Sequence, residues 1–296
     1  KDNKQELSLS DGFVITVLFW IVLSVSGSIP FILFGFGVVD SFFESMSGIT
    51  TTGATVIAGL DDLPKSLLIY RQLLQWLGGM GLIVLAIAVM PLLGIGGGQL
   101  FKTQTPGPMS EQRLTPRITS TARALWSIYF VLTVLCIFAY RLAGMSYFDA
   151  VSHAFSTVSI GGFSTHDLSI GFFDSLSIEI VCITFMLLSA MSFAVHYSAI
   201  YRKQVLKYFY DPELRFFVSL LIVILGLVCL SLFANDIDDP IRSGLFQTVS
   251  ILTTTGFLTD EYSSWPAYIS FMLLVGAFIG ACSGSVGGGI KSWRIL

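Results

Sequence analysis

The stretch SMSGITTTGA at residues 45–54 returns twice more, as AFSTVSIGGF at 154–163 and TVSILTTTGF at 248–257. Aligned on Gly53, Gly162 and Gly256, the three copies also bring Ser47, Ser156 and Ser250 into register. Recurrence about every 100 residues marks one structural module copied along the chain. Each copy is too apolar for an ordinary exposed loop and too short to cross a bilayer, which takes about 20 helical residues. The expectation is a re-entrant segment, in which a short helix enters the membrane, turns on a glycine and leaves.

The surroundings of the three copies fit this. Of 296 residues, 54% are hydrophobic and 12% charged, and the mean hydropathy of +0.79 lies outside the balance of soluble domains. Uncharged runs at 12–39, 72–101, 124–140, 180–201, 216–235 and 265–290 predict six spans, the third being the shortest. Placing the connections between spans two and three and between spans four and five on one side, with the segments before the first span and after the sixth, gives that side twelve of the 16 lysines and arginines, which makes it cytoplasmic together with the start of the chain. The outer connections are acidic and contain the three repeats. The chain starts at Lys1 without a leader pattern, so it reads as lacking its true N-terminus. Cys136, Cys182, Cys229 and Cys282 show no ligand spacing and read as small hydrophobes.

The chemistry of the repeats favours a bare monovalent cation. Backbone carbonyls in the turns can replace an ion's water shell, and glycine permits the dihedrals that aim them inward. A short helix ahead of each turn directs its partly negative C-terminal end toward the same place. The candidate ion-binding residues are Thr51, Thr52 and Gly53, then Ile160, Gly161 and Gly162, then Thr254, Thr255 and Gly256, and no charged side chain lies among them. Glu44, His153 and Gln247 share one repeat position, nine residues before the glycine, and are expected to pack behind the turns. Arg71 and Glu179 fall near the outer ends of their spans, where snorkelling to the interface is the ordinary expectation and a structural pair behind the turns is the alternative.

Other chemistries find no support. The spans carry no paired carboxylates, no zinc spacing and no nucleophile with a base, so an intramembrane enzyme is excluded on inventory, and no cofactor is expected. His153, His166 and His196 lie in different elements and form no metal set. GSVGGGIKS at 284–292 lacks the strand and spacing of a phosphate-binding loop. Glycine costs about 1 kcal/mol relative to alanine inside a helix, so the glycine-rich stretch 276–289 predicts a broken last span.

With these residues in view, the chain resembles the bacterial Trk potassium uptake subunits of the Trk/Ktr/HKT superfamily, most closely the TrkH type. The resemblance rests on SGITTTGAT at 47–55, YRQLLQWLGGMG at 70–81, FSTVSIGGFSTHD at 155–167 and GSVGGGIK at 284–291. It implies an all-α membrane protein in which helix, pore-loop, helix units surround a pseudo-fourfold pore. Three units are present, at 1–101, 125–207 and 208–296, with a cytoplasmic linker at 102–124, and the fourth is missing, as are two helices before the first. It further implies a gating loop at 276–291 that includes Gly284, Ser285, Gly287, Gly288 and Gly289. Potassium is the implied cargo, bound at the turn residues alone. The implied setting is a homodimer in the lipid of the bacterial inner membrane, with a ring of cytosolic nucleotide-binding regulatory subunits and no nucleic acid. The segment 94–110 is turn-rich and able to dock such a partner.

Overall fold

The computed structural model describes residues 9–81, 118–262 and 265–296, and every regular element among them is helical. The segment 94–110 and most of the 102–124 linker lie outside the described residues. Three long apolar helices come first: α1 (Leu9–Leu33), α4 (Ile118–Leu142) and α9 (Pro212–Ala234). Each is long and apolar enough to cross a membrane and presents exposed apolar side chains such as Val22, Phe138 and Ile222. The third predicted span is therefore not the shortest. α4 has 25 residues, as many as α1, because Arg123 and Arg141 continue the helix beyond the uncharged run.

After each long helix comes a short one: α2 (Val38–Ile49), α5 (Tyr147–Val158) and α10 (Pro240–Leu252). Each long helix packs on the short helix that follows it. The short helices bury polar faces, with Ser41, Glu44 and Ser45 on α2, Ser152, His153 and Ser156 on α5, and Gln247, Thr248 and Ser250 on α10. Faces of that kind cannot meet lipid without cost, since each unsatisfied polar group there costs several kcal/mol, so these helices sit inside the protein.

The returning helices are α3 (Lys65–Gly79), the pair α6 (Leu176–Ala190) and α7 (Phe193–Tyr201), and α11 (Ala267–Ile279). A short helix α8 (Lys207–Tyr210) leads into α9, whose first turn is capped by the Asp211 side chain accepting from Leu214 N–H at 3.0 Å. α3 packs against α5, and α6 against α10, so the first two returning segments also support the short helix of the next one. The run 180–201 is not one straight span: α6 and α7 meet at 92° across Met191 and Ser192. The last span breaks at Gly280, whose φ of 73° ends α11.

Candidate functional site

The three short helices end alike, four residues before the aligned glycine. The N–H of Thr51 donates to the Gly48 carbonyl at 3.0 Å and that of Thr52 to Ser47 at 2.9 Å. In the second copy Ile160 donates to Thr157 at 3.1 Å and Gly161 to Ser156 at 2.8 Å. In the third, Thr254 donates to Ile251 at 3.0 Å and Thr255 to Ser250 at 2.8 Å. This pairing is a Schellman motif, whose left-handed position normally belongs to glycine. Here that position holds Thr51, Ile160 and Thr254, with φ of 55°, 54° and 64°. The left-handed region costs an L-residue about 1–2 kcal/mol. Two residues on, Gly53, Gly162 and Gly256 take φ of 76°, 79° and 86°. The same alternation, built three times, is held in place by the surrounding protein.

Because the last helical carbonyls are used within the motif, those of the turn itself are left over. Among the described residues, the carbonyls of Thr51, Thr52 and Gly53, of Ile160 and Gly162, and of Thr254, Thr255 and Gly256 accept no hydrogen bond. The turns also touch. A β-carbon on Gly53 would lie 2.0 Å from the Gly161 carbonyl oxygen, and one on Gly162 would lie 2.0 Å from that of Thr255. The second turn thus sits between the first and third, and the nine candidate residues form one cluster of backbone oxygen.

Two residues of α3 brace this cluster. Arg71 is fully buried, its Nε donating to Glu44 Oε1 at 2.7 Å, one terminal nitrogen to the Ser164 carbonyl and the other to Thr55 Oγ1, both at 3.1 Å. Its guanidinium also lies over the Phe163 ring, 4.3 Å from the centroid. The snorkelling expectation is thereby corrected: Arg71 finds its counter-ion inside the protein and does not reach for water. Glu179 likewise is buried and accepts from Arg242 of α10 at 2.7 Å. Gln75, one helical turn after Arg71, accepts from Ser156 Oγ at 2.6 Å and Phe163 N–H at 3.2 Å while donating to the Gly161 carbonyl at 2.7 Å. Sequence reading missed Gln75, although three polar residues, Arg71, Gln72 and Gln75, within five positions of an apolar stretch were a visible signal.

The residues nine before each glycine reach the chain leaving the turn. Glu44 accepts from Thr55 Oγ1 at 3.0 Å and Val56 N–H at 3.3 Å, His153 Nε2 meets Ser164 Oγ at 2.9 Å, and Gln247 donates to the Asp260 carbonyl at 3.1 Å. At the outer rim the connections are stapled together. Asp167 accepts from the N–H groups of Gly59 and Leu60 at 3.1 and 2.9 Å, and His166 Nδ1 pairs with the Asp61 carboxylate. That hydrogen bond holds the Asp61 carboxyl below its usual value, against an opposing push from partial burial.

The glycine-rich segment after α11 folds into a loop with joined ends. Ile290, Lys291 and Ser292 donate back to Phe278, Ile279 and Ala281 at 2.9, 3.1 and 3.2 Å. Gly284 and Gly289 hold φ of 71° and 83°. The loop docks into the break between α6 and α7, where Cys282 N–H donates to the Ala190 carbonyl at 3.1 Å and Phe193 N–H to Gly284 at 3.0 Å. It also meets the third turn, with Gly288 N–H donating to Thr254 Oγ1 at 2.7 Å. Lys291 turns back to donate to the Gly287 carbonyl, and Ser285 Oγ to Cys282 at 2.6 Å. Buried Glu213, at the start of α9, accepts from the N–H groups of Ser283 and Trp293 and so ties both arms of the loop. Nothing in the sequence marks Glu213 for this, because its partners lie some 70 and 80 residues away.

The model of the TrkH family, described as a cation transport protein, matches residues 1–296. Trk system potassium uptake protein TrkH of Halomonas elongata is 52% identical over 99% of this chain and 62% of its own length, and the protein of that name from Escherichia coli K12 is 46% identical over 100% and 63%. The crystal structure of the potassium transporter TrkH from Vibrio parahaemolyticus superposes with a TM-score of 0.85 at 48% identity, covering 100% of this chain and 62% of that one. The chain thus spans somewhat under two thirds of the relatives it matches, and over that span it belongs to the TrkH family of cation transport proteins.

Proposed function

We propose that this chain lines a potassium-selective conduit for uptake across the bacterial inner membrane. The carrying observation is the threefold recurrence of one backbone geometry, left-handed at Thr51, Ile160 and Thr254 and again at Gly53, Gly162 and Gly256, in turns that touch one another. Backbone carbonyls inside a folded chain normally find partners, and of the eight turn residues whose carbonyls are left over, Ile160 and Thr255 are buried, four are half-buried, and Thr52 and Gly256 are exposed. A row of them without a protein donor, free of charged side chains and braced from behind, is suited to hold a dehydrated alkali ion. The three copies then read as pore-loop units about a pseudo-fourfold axis, with a fourth contributed from elsewhere in the subunit.

The relatives named above are potassium uptake proteins, and their names favour the same cargo and a transport role over an enzymatic one. Gly284, Ser285, Gly287, Gly288 and Gly289 form the gate in this reading: their loop contacts the third turn from the side on which α11 breaks, and opening it clears the inner path. The Trk system naming of the relatives also favours a multi-subunit assembly, read here as a homodimer with cytosolic nucleotide-binding regulatory subunits.

Rubidium flux into liposomes holding the subunit at its full natural length tests the reading. Potassium should compete with rubidium far better than sodium does, and Gly162→Ser should narrow the difference. An unchanged preference in that variant rejects the assignment of the turns.

A further inference from the structure

The two threonine triplets show what the hydroxyls are doing. In the third turn Thr253 Oγ1 donates to the Val249 carbonyl and pairs with Thr255 Oγ1, both at 2.7 Å. In the first turn Thr50 Oγ1 does the same with Met46 at 2.6 Å and with Thr52 Oγ1 at 2.8 Å. The outer pair of each triplet is thus used up inside its own turn, and only the middle hydroxyl is free to reach elsewhere. Among the described residues Thr51 uses its hydroxyl for no hydrogen bond, and the second turn has Ile160 at that position, with no hydroxyl at all. Thr254 alone among the three equivalents binds the glycine loop, through Gly288 N–H at 2.7 Å.

The remaining loop contacts on the turns are made by shape. A β-carbon on Gly287 would lie 3.1 Å from the Thr253 carbonyl oxygen and 3.6 Å from Ile160 Cδ1. The bracing is also uneven. Arg71 and Gln75 of α3 hold the chain around the first two turns, whereas α11, with the sequence AYISFMLLVGAFI, offers the third turn no comparable side chain. The third turn therefore has the loop where the others have a helix.

We propose that Thr254 is a positioning residue that couples the glycine loop to the ion-binding turns, its hydroxyl latching the closed loop while the loop N–H helps hold the third turn in its left-handed conformation. The inference rests on the conduction reading above. A β-branched residue at φ of 64° persists only where its surroundings hold it. When the loop leaves, that support goes, the third turn relaxes, and ion preference changes together with flux. A plug that merely blocked the path would alter flux and leave preference untouched.

Thr254→Val keeps the branching and removes the hydroxyl, and Thr254→Ser keeps the hydroxyl. Loss of one such hydrogen bond should raise basal rubidium flux through the full-length subunit by about two- to tenfold. Potassium-over-sodium preference should fall in the same variant, and amide hydrogen exchange across residues 280–291 should quicken. Thr254→Ser should lie closer to the parent than Thr254→Val in all three, and a serine variant as far from the parent as valine would overturn the role of the hydroxyl. Gly288→Ala, whose β-carbon would lie 3.2 Å from Thr254 Oγ1, provides a second disruption from the loop side and should change flux and exchange in the same direction. Parental flux and exchange in the valine or alanine variant would overturn the coupling, as would raised flux at unchanged preference. Absence of rubidium flux from the parent itself would overturn the conduction reading, and the coupling with it.

Discussion

Gly162 and Thr255 lie so close that a single β-carbon on the glycine would stand 2.0 Å from the threonine carbonyl oxygen. Neither atom involved can swing aside as a side-chain tip would, because both belong to backbone. Gly162→Ser therefore forces the second and third turns apart and adds the left-handed penalty at φ of 79°. We expect potassium-over-sodium preference in a flux assay to drop by about tenfold, the factor that corresponds to roughly 1.4 kcal/mol.

Arg71→Leu leaves the Glu44 carboxylate buried without its counter-ion. Removing one partner of a buried pair destabilises by about 3–5 kcal/mol, so thermal unfolding in detergent should begin well below the parental temperature. The double variant Arg71→Leu with Glu44→Leu removes both charges and should recover part of the loss. Arg71→Lys should recover less than full stability, because an ammonium cannot reach Glu44, Ser164 and Thr55 with one planar fork.

Gln75→Leu removes the acceptor of Phe163 N–H and the donor to the Gly161 carbonyl. An orphaned buried group costs about 1–3 kcal/mol, which a subunit of this size tolerates. The expected outcome is a folded protein whose ion preference is weakened, read by the same competition between rubidium, potassium and sodium.

Glu213→Ala frees both arms of the glycine loop. Hydrogen bonds to a charged acceptor contribute about 1.5–3 kcal/mol, so amide exchange at Ser283 and Trp293 should accelerate by an order of magnitude or more. Glu213→Gln keeps one carbonyl acceptor and should fall between the parent and alanine.

His166→Ala tests the outer staple. Asp61 is held below its usual carboxylate value chiefly by the hydrogen bond from His166. A depressed value contributes stability above the unfolded pKa, and that contribution is lost as pH falls through the folded one. The alanine variant should return the Asp61 carboxyl toward its ordinary range, so the acid limb of a pH–stability curve should shift to higher pH. Asp61 is largely exposed, and the effect should shrink with added salt.

Much of this architecture was legible along the chain. The glycine turns, the short helices before them and the break within 276–289 are local, since each depends on which dihedrals a few neighbouring residues permit. The role of Glu44, His153 and Gln247 was legible too, because a repeated position implies a repeated contact. The bend between α6 and α7 had no such signal: no glycine or proline stands at Met191 or Ser192, and the loop donors and acceptors that meet Ala190 and Phe193 come from Cys282 and Gly284.

By itself, the sequence determined that this chain is built of apolar helices of a membrane protein and repeats one short-helix and glycine-turn motif free of charged side chains, because composition and dihedral preference are properties of short stretches. Only the tertiary structure decided that Arg71 is caged with Glu44, that Gln75 holds the neighbouring turn and that Thr254 meets the glycine loop. Those contacts join residues between 27 and 86 positions apart, and a buried polar group's partner is selected by where the packed helices carry it.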